Sequence, residues 1–117
     1  LEMNEDDRAL MLKTIQNHAS DKILIVHGTD TMDITASYLD LHVKDKTIFL
    51  TGAMVPFSID TVEATANFMF ALGDLHVREK KGIFISMHGV TLEHTRIYKN
   101  REIKEVTDVD LLIRRKL

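Results

Sequence analysis

The run HGTDTM, residues 27–32, places two hydroxyls and a carboxylate, on Thr29, Asp30 and Thr31, directly behind Gly28. A helix N-cap uses one side-chain oxygen, so this turn carries more oxygen than a cap needs. Helix N-termini attract anions, but a phosphate cradle fits poorly. Only one glycine is present, no Lys-Ser or Lys-Thr pair follows, and Asp30 would repel the ligand. Hydrolysis uses more of these residues. A threonine hydroxyl becomes a nucleophile once a base takes its proton, and a lysine can be that base if burial lowers its pKa. Asp30 could orient such an amine. The candidate is Lys99 in IYKN, although by pattern alone its plainest reading is an exposed surface charge.

Six histidines raise the question of a metal. His27 and His88 sit at the ends of strand-like runs. His88 and His94 lack the i, i+4 spacing of a helical zinc pair, and Glu93 has no partner at a familiar offset. These histidines read as hydrogen-bonded structural groups, and neither a metal site nor a cofactor is expected.

The elements that must position the chemistry alternate. Asn4 can cap an opening helix whose first turn is acidic (Glu5, Asp6, Asp7) and which shows Leu12, Ile15 and Ala19 on one face before ending around NHASD. KILIVHG reads as a strand covered on both faces. In TMDITASYLDLHV two stripes, Met32, Ala36, Leu39, Val43 and Ile34, Tyr38, Leu41, predict a helix buried on more than one side. KTIFLTGA repeats the strand pattern, and VPFS, with the chain's one proline at 56, makes the connection. Asp60 and Glu63 suggest a capping box ahead of ATANFMFALG, with Gly73 placed to stop that helix. HVREKK reads as a solvated charged loop. GIFISMHG supplies a third strand, and the remainder reads as irregular structure or short strands.

That order predicts an α/β fold: a three-layer, Rossmann-like parallel sheet with helices on both faces, built from right-handed βαβ units. The strands end in HGTDT, TGAM and MHGV. Ligands bind outside the carboxyl ends of such strands, so these three tips should line one crevice.

At 117 residues and 44% apolar content, the chain suits one domain with its own core. A net charge of −3 with no basic stretch disfavours nucleic acid and anionic membranes. The absence of cysteine removes disulfides and thiolate metal chemistry. No apolar run approaches the ~20 residues that span a bilayer, and no signal peptide heads the chain. A cytoplasmic protein is the expectation.

The motifs ILIVHGTDTMDITASYLD, IFLTGAMVPFS and GIFISMHGVTLEHTRIYKNRE resemble, in order and spacing, the N-terminal domain of the bacterial-type L-asparaginases and glutaminase-asparaginases, from about Met3 to about Glu102. The resemblance implies that Thr29 and Asp30 belong to the active site. It also implies that Lys99, a dozen residues past Met87, completes a Thr-Lys-Asp triad. Thr29 would position or polarise the attacking species and Lys99 would accept the proton. Asp30 would hold the lysine and bind the substrate α-amino group. Gly52 and Ala53 would lie beside the leaving amide, and Gly28 would allow close main-chain approach.

Several departures accompany the resemblance. The family's GGT turn, with a second threonine often assigned as nucleophile, has no match. LEM looks like the tail of the loop that grips the substrate α-carboxylate, with its serine absent. Together with Leu1 in place of methionine, this predicts a single asparaginase-like domain over 1–117 lacking its first strand and nucleophile loop. Long family members continue into a second α/β domain, whereas the NREIKEV tail resembles shorter relatives, and Val55 replaces a frequent arginine. The expected function is an amidohydrolase acting on the side-chain amide of asparagine or a similar small amide and releasing ammonia. The alternative is a non-catalytic asparaginase-like domain binding an amino acid or a protein partner. The doubly apolar helix after Asp30 suggests a homodimer.

Overall fold

A computed structural model describes residues 3–54, 61–100 and 105–108, with only the chain path for 97–100 and 105–108. Leu1, Val55, Pro56, Asp60, the Lys99 side chain and the tail beyond residue 108 lie outside the described part, as do the expectations attached to them.

The first helix, α1 (Glu5–Asn17), opens with a complete capping box. The Asp7 amide donates to Asn4 Oδ1 at 2.8 Å, and the Asn4 amide donates to the Asp7 carboxylate at 3.1 Å. Such a pair satisfies two of the amides that a helix start leaves without intrahelical partners. Ile15 is buried as expected, while Ala19 lies past the helix end and is exposed. There follow β1 (Lys22–Val26), α2 (Met32–His42), β2 (Thr47–Thr51), α3 (Thr61–Val77), β3 (Gly82–Met87) and β4 (Val90–Glu93). A short 3-10 turn (His94–Arg96) leads to β5 (Ile97–Asn100) and β6 (Glu105–Asp108).

The main sheet has the order β1-β2-β3-β4. Its first three strands are parallel, and β4 returns antiparallel to β3. The fold is α/β with helices on both faces, as the alternating pattern predicts. β4 makes the sheet mixed. Alternation along the strands sorts the core into two layers. Ile48, Leu50, Ile83, Ile85 and Met87 pack with α1 and α2 through Ile15, Met32, Ala36, Leu39 and Val43. On the opposite face Phe49 and Phe84 pack with Ala71 and Leu75 of α3.

This layering corrects one expectation. The steps β1 to β2 and β2 to β3 run in the same direction across the sheet, yet α2 and α3 lie on opposite faces. The two crossovers therefore have opposite hand, and one departs from the right-handed rule. The demand for cover explains it: α1 and α2 fill the isoleucine face, which leaves α3 as the helix for the phenylalanine face.

Three further expectations shift. β1 is an edge strand, so it is only half-buried, with Val26 67% exposed. In α2 the first stripe is fully buried, whereas Ile34 and Leu41 of the second face solvent. Gly73 does not stop α3, because another turn is needed to bring Leu75 down onto the phenylalanine layer. In the charged loop after it Glu79, Lys80 and Lys81 are exposed, as its composition predicts, and Arg78 is half-buried. Arg78 lies over both rings, 5.0 Å from the Phe84 centroid and 5.7 Å from that of Phe49, and is paired to Asp74 at 3.0 Å.

Candidate functional site

Because β1, β2 and β3 are adjacent and parallel, their carboxyl ends lie side by side. The first tip carries Gly28, Thr29 and Asp30 between β1 and α2, with Thr29 half-buried and Asp30 exposed. Thr31 holds the N-cap position of α2 but makes no side-chain capping bond. The second tip carries Gly52 and Ala53. The His27 amide donates to the Thr51 carbonyl at 2.8 Å, extending the ladder one residue past β1. A Cβ on Gly52 would lie 2.2 Å from the His27 carbonyl oxygen. Only glycine permits the two tips to approach so closely.

The third tip is a hairpin. Met87 pairs with Val90 across His88 and Gly89, which have φ of 51° and 75°. Two successive positive φ values are the signature of the tight turn that suits twisted strands. His88 pays for the left-handed conformation with two held contacts. Its amide donates to Asn67 Oδ1 at 2.9 Å, and its Nε2 lies 2.7 Å from Glu63 Oε2.

Those two α3 side chains also hold the second tip. Asn67 Nδ2 donates to the Gly52 carbonyl at 2.8 Å, and the Met54 amide donates to Glu63 Oε2 at 2.9 Å. Asn67 is buried, so losing either partner would leave a polar group without water, at about 1–3 kcal/mol. Thr51 completes the link from β2 to β3, its hydroxyl donating to the Ser86 carbonyl at 2.6 Å.

Gly28, Thr29, Asp30, Gly52 and Ala53 thus occupy neighbouring strand ends. Lys99 lies on β5, which among the described residues pairs with β6, Lys99 standing opposite Val106; where its amine reaches lies outside the described side chains. Among the described residues, no cluster of three or more His, Asp or Glu side chains could hold a metal ion.

The sequence reading did not single out Asn67, Arg8 or Thr35, and it took Glu63 only as a helix cap. The signal was present in three of them: Glu63 and Asn67 continue the four-residue spacing of Ala71 and Leu75. Arg8 likewise precedes Leu12 and Ile15 on the inner face of α1. A polar residue inside an apolar stripe marks a buried partner. The partner itself cannot be read from the stripe.

The fold and the clustered strand ends define an α/β protein with its polar turns gathered at the carboxyl ends of the three parallel strands of a mixed sheet. A family model described as Asparaginase, N-terminal, matches residues 1–106, and the chain belongs to that family. It is 34% identical over 98 residues to the probable periplasmic L-asparaginase of Haemophilus influenzae, a match covering 78% of this chain and 28% of that protein. It is 31% identical over 97 residues to L-asparaginase 2 of Escherichia coli, covering 79% and 28%. The chain therefore spans somewhat over a quarter of the length of these relatives. The probable cytoplasmic L-asparaginase from Campylobacter jejuni superposes with a TM-score of 0.75 at 28% identity, covering 84% of this chain and 33% of that one. The thermostable L-asparaginase from Thermococcus kodakarensis gives 0.78 at 23% identity over 92% and 34%, a likeness of fold. No helix among the described residues is long and apolar enough to cross a membrane.

Proposed function

We propose that this chain carries part of the active site of an amidohydrolase that hydrolyses the side-chain amide of asparagine or a similar small amide. Family membership supports the reaction class. The observation that carries the reading is the close packing of the Gly28–Asp30 and Gly52–Ala53 tips through the Gly52–His27 contact.

In this reading Thr29 positions or attacks at the amide carbon while Lys99 takes the proton. Asp30 holds the lysine and the substrate α-amino group. Backbone amides near the strand ends stabilise the oxyanion. The C–N bond breaks with return of the proton to nitrogen, which leaves as ammonia. Water then supplies the oxygen of the carboxylate product and releases the acyl group. No cofactor is required.

The test is ammonia release from asparagine and glutamine by the protein at its natural length, beside Thr29→Ala, Asp30→Ala and Lys99→Ala. Removing one such group is expected to cost about 10²–10⁴-fold in kcat. An active parent whose three variants keep its rate contradicts the triad. A parent that binds asparagine without releasing ammonia supports a binding domain instead.

A homodimer completes the proposal, supported by the exposed Ile34 and Leu41 stripe on α2. Sedimentation of the parent against Ile34→Ser/Leu41→Ser checks it: a dimer that persists unchanged in the double variant excludes that surface. The proposed compartment is the cytoplasm, that of the Campylobacter neighbour by its description, with cell fractionation deciding against the periplasm of the Haemophilus relative.

A further inference from the structure

Behind the Thr29–Asp30 turn lies a buried polar chain. Arg8, Thr35 and His27 are 5%, 0% and 7% exposed. Arg8 Nε donates to Thr35 Oγ1 at 3.0 Å, and its NH2 group donates to the Met3 carbonyl at 3.0 Å. Its NH1 group pairs with Glu5 at 2.9 Å. Thr35 Oγ1 lies 2.8 Å from His27 Nε2, and His27 Nδ1 lies 2.6 Å from the Gly28 carbonyl oxygen.

The direction of these bonds follows from what each atom can do. A carbonyl oxygen only accepts, so His27 Nδ1 carries the proton that meets Gly28. Arg8 only donates, so the Thr35 oxygen is its acceptor and the Thr35 proton is left for another partner. Two atoms compete for it, His27 Nε2 at 2.8 Å and the Met3 sulfur at 3.6 Å, and the nearer nitrogen is the stronger acceptor. The donors therefore run one way, from Arg8 to Thr35 to His27 to the Gly28 carbonyl.

We propose that Arg8, Thr35 and His27 are positioning residues that fix the Gly28 carbonyl, and with it the plane of the peptide leading into Thr29, from inside the protein. A peptide is planar, so holding the Gly28 oxygen also aims the Thr29 amide and sets where Thr29 and Asp30 project. The same chain ties the turn to the backbone at Met3, which lies far from it in sequence. None of the three touches substrate. Their effect is on geometry, and a displacement of about 1 Å at reacting groups can cost about 100-fold.

This inference rests on the amidohydrolase reading for its kinetic arm but not for its spectroscopic one. His27→Asn keeps a donor where Nδ1 stands, whereas His27→Gln places its amide where Nε2 stands. Thr35→Ser keeps the hydroxyl and Thr35→Val deletes it at equal size. In the natural-length protein, His27→Asn and Thr35→Ser should hold kcat within about threefold of the parent. His27→Gln and Thr35→Val should lose about 10–100-fold in kcat, with KM within about twofold. Equal kcat within each pair, with an active parent and folded variants, overturns the relay and leaves the amidohydrolase reading standing. Ring ¹⁵N spectra of the parent give the second arm: a proton on His27 Nδ1 with Nε2 bare is expected, and the reverse tautomer overturns the relay. An inert parent defeats the amidohydrolase reading, and the tautomer together with the Gly28–Asp30 amide shifts in the four variants then decides the relay.

Discussion

Gly52 and His27 leave no space for a side chain between them, a Cβ on Gly52 meeting the His27 carbonyl oxygen at 2.2 Å and Met32 Cε at 3.2 Å. Gly28, one residue further along the first tip, has nothing within 4 Å of its would-be Cβ. Gly52→Ala should therefore destabilise the fold by about 1–3 kcal/mol, the usual cost of overpacking against atoms that cannot yield. Gly28→Ala should stay within about 0.5 kcal/mol of the parent. Urea unfolding of both variants checks the contrast.

Asn67 bridges the second and third tips through one amide group, donating to the Gly52 carbonyl and accepting from the His88 amide. Asn67→Leu, similar in size, removes both bonds and leaves the buried Gly52 carbonyl without its partner, while the amide of the exposed His88 can turn to water. A loss of about 1–3 kcal/mol is expected, the cost of one such buried group. Heat and urea unfolding measure it, and a loss below 0.5 kcal/mol, about the scale of an ordinary surface substitution, would show that the bridge contributes little.

How much of this was legible in the sequence depends on the range of the interaction. The Asn4 cap of α1, the three parallel strands and the buried Met32, Ala36, Leu39, Val43 stripe are written in local spacing, and the structure contains each of them. Gly73 misled because a stop signal acts locally, whereas the burial of Leu75 among residues of β2 and β3 decides how far α3 runs. The exposure of β1 and of Ile34 and Leu41 depends on which neighbours are present, which periodicity does not encode. The strand-tip residues stood out by composition. Asn67 and Arg8 did not, since the partners that join them to other elements, Gly52 and Thr35, lie 15 and 27 residues away in the chain.

Asn4 tests the local part of that account. Asn4→Ala breaks the capping box at an exposed site, where little else is touched, and should cost about 1 kcal/mol. Helicity and unfolding free energy are the measurements.

On the far side of the sheet, Glu93 is held below its ordinary carboxylate value near 4.5, first by the hydrogen bond from Lys80 and then by the Lys80 charge. A lowered carboxylate favours the fold above the unfolded-state value, and that contribution disappears as pH falls through the lowered one. Lys80→Met should return the Glu93 titration toward 4.5 and remove the pair's salt dependence, as followed by carboxyl ¹³C shifts. An unchanged Glu93 titration in the variant would assign the shift to another group.

The account turns on whether one amine joins the hydroxyl and carboxylate of the first tip. A crystal structure of the natural-length protein, with asparagine or aspartate soaked in, measures this directly. The predicted result is the Lys99 ammonium within hydrogen-bond reach, about 3 Å, of Asp30 and Thr29 beside the ligand. An ordered Lys99 directed into solvent, with the ligand elsewhere, would contradict it.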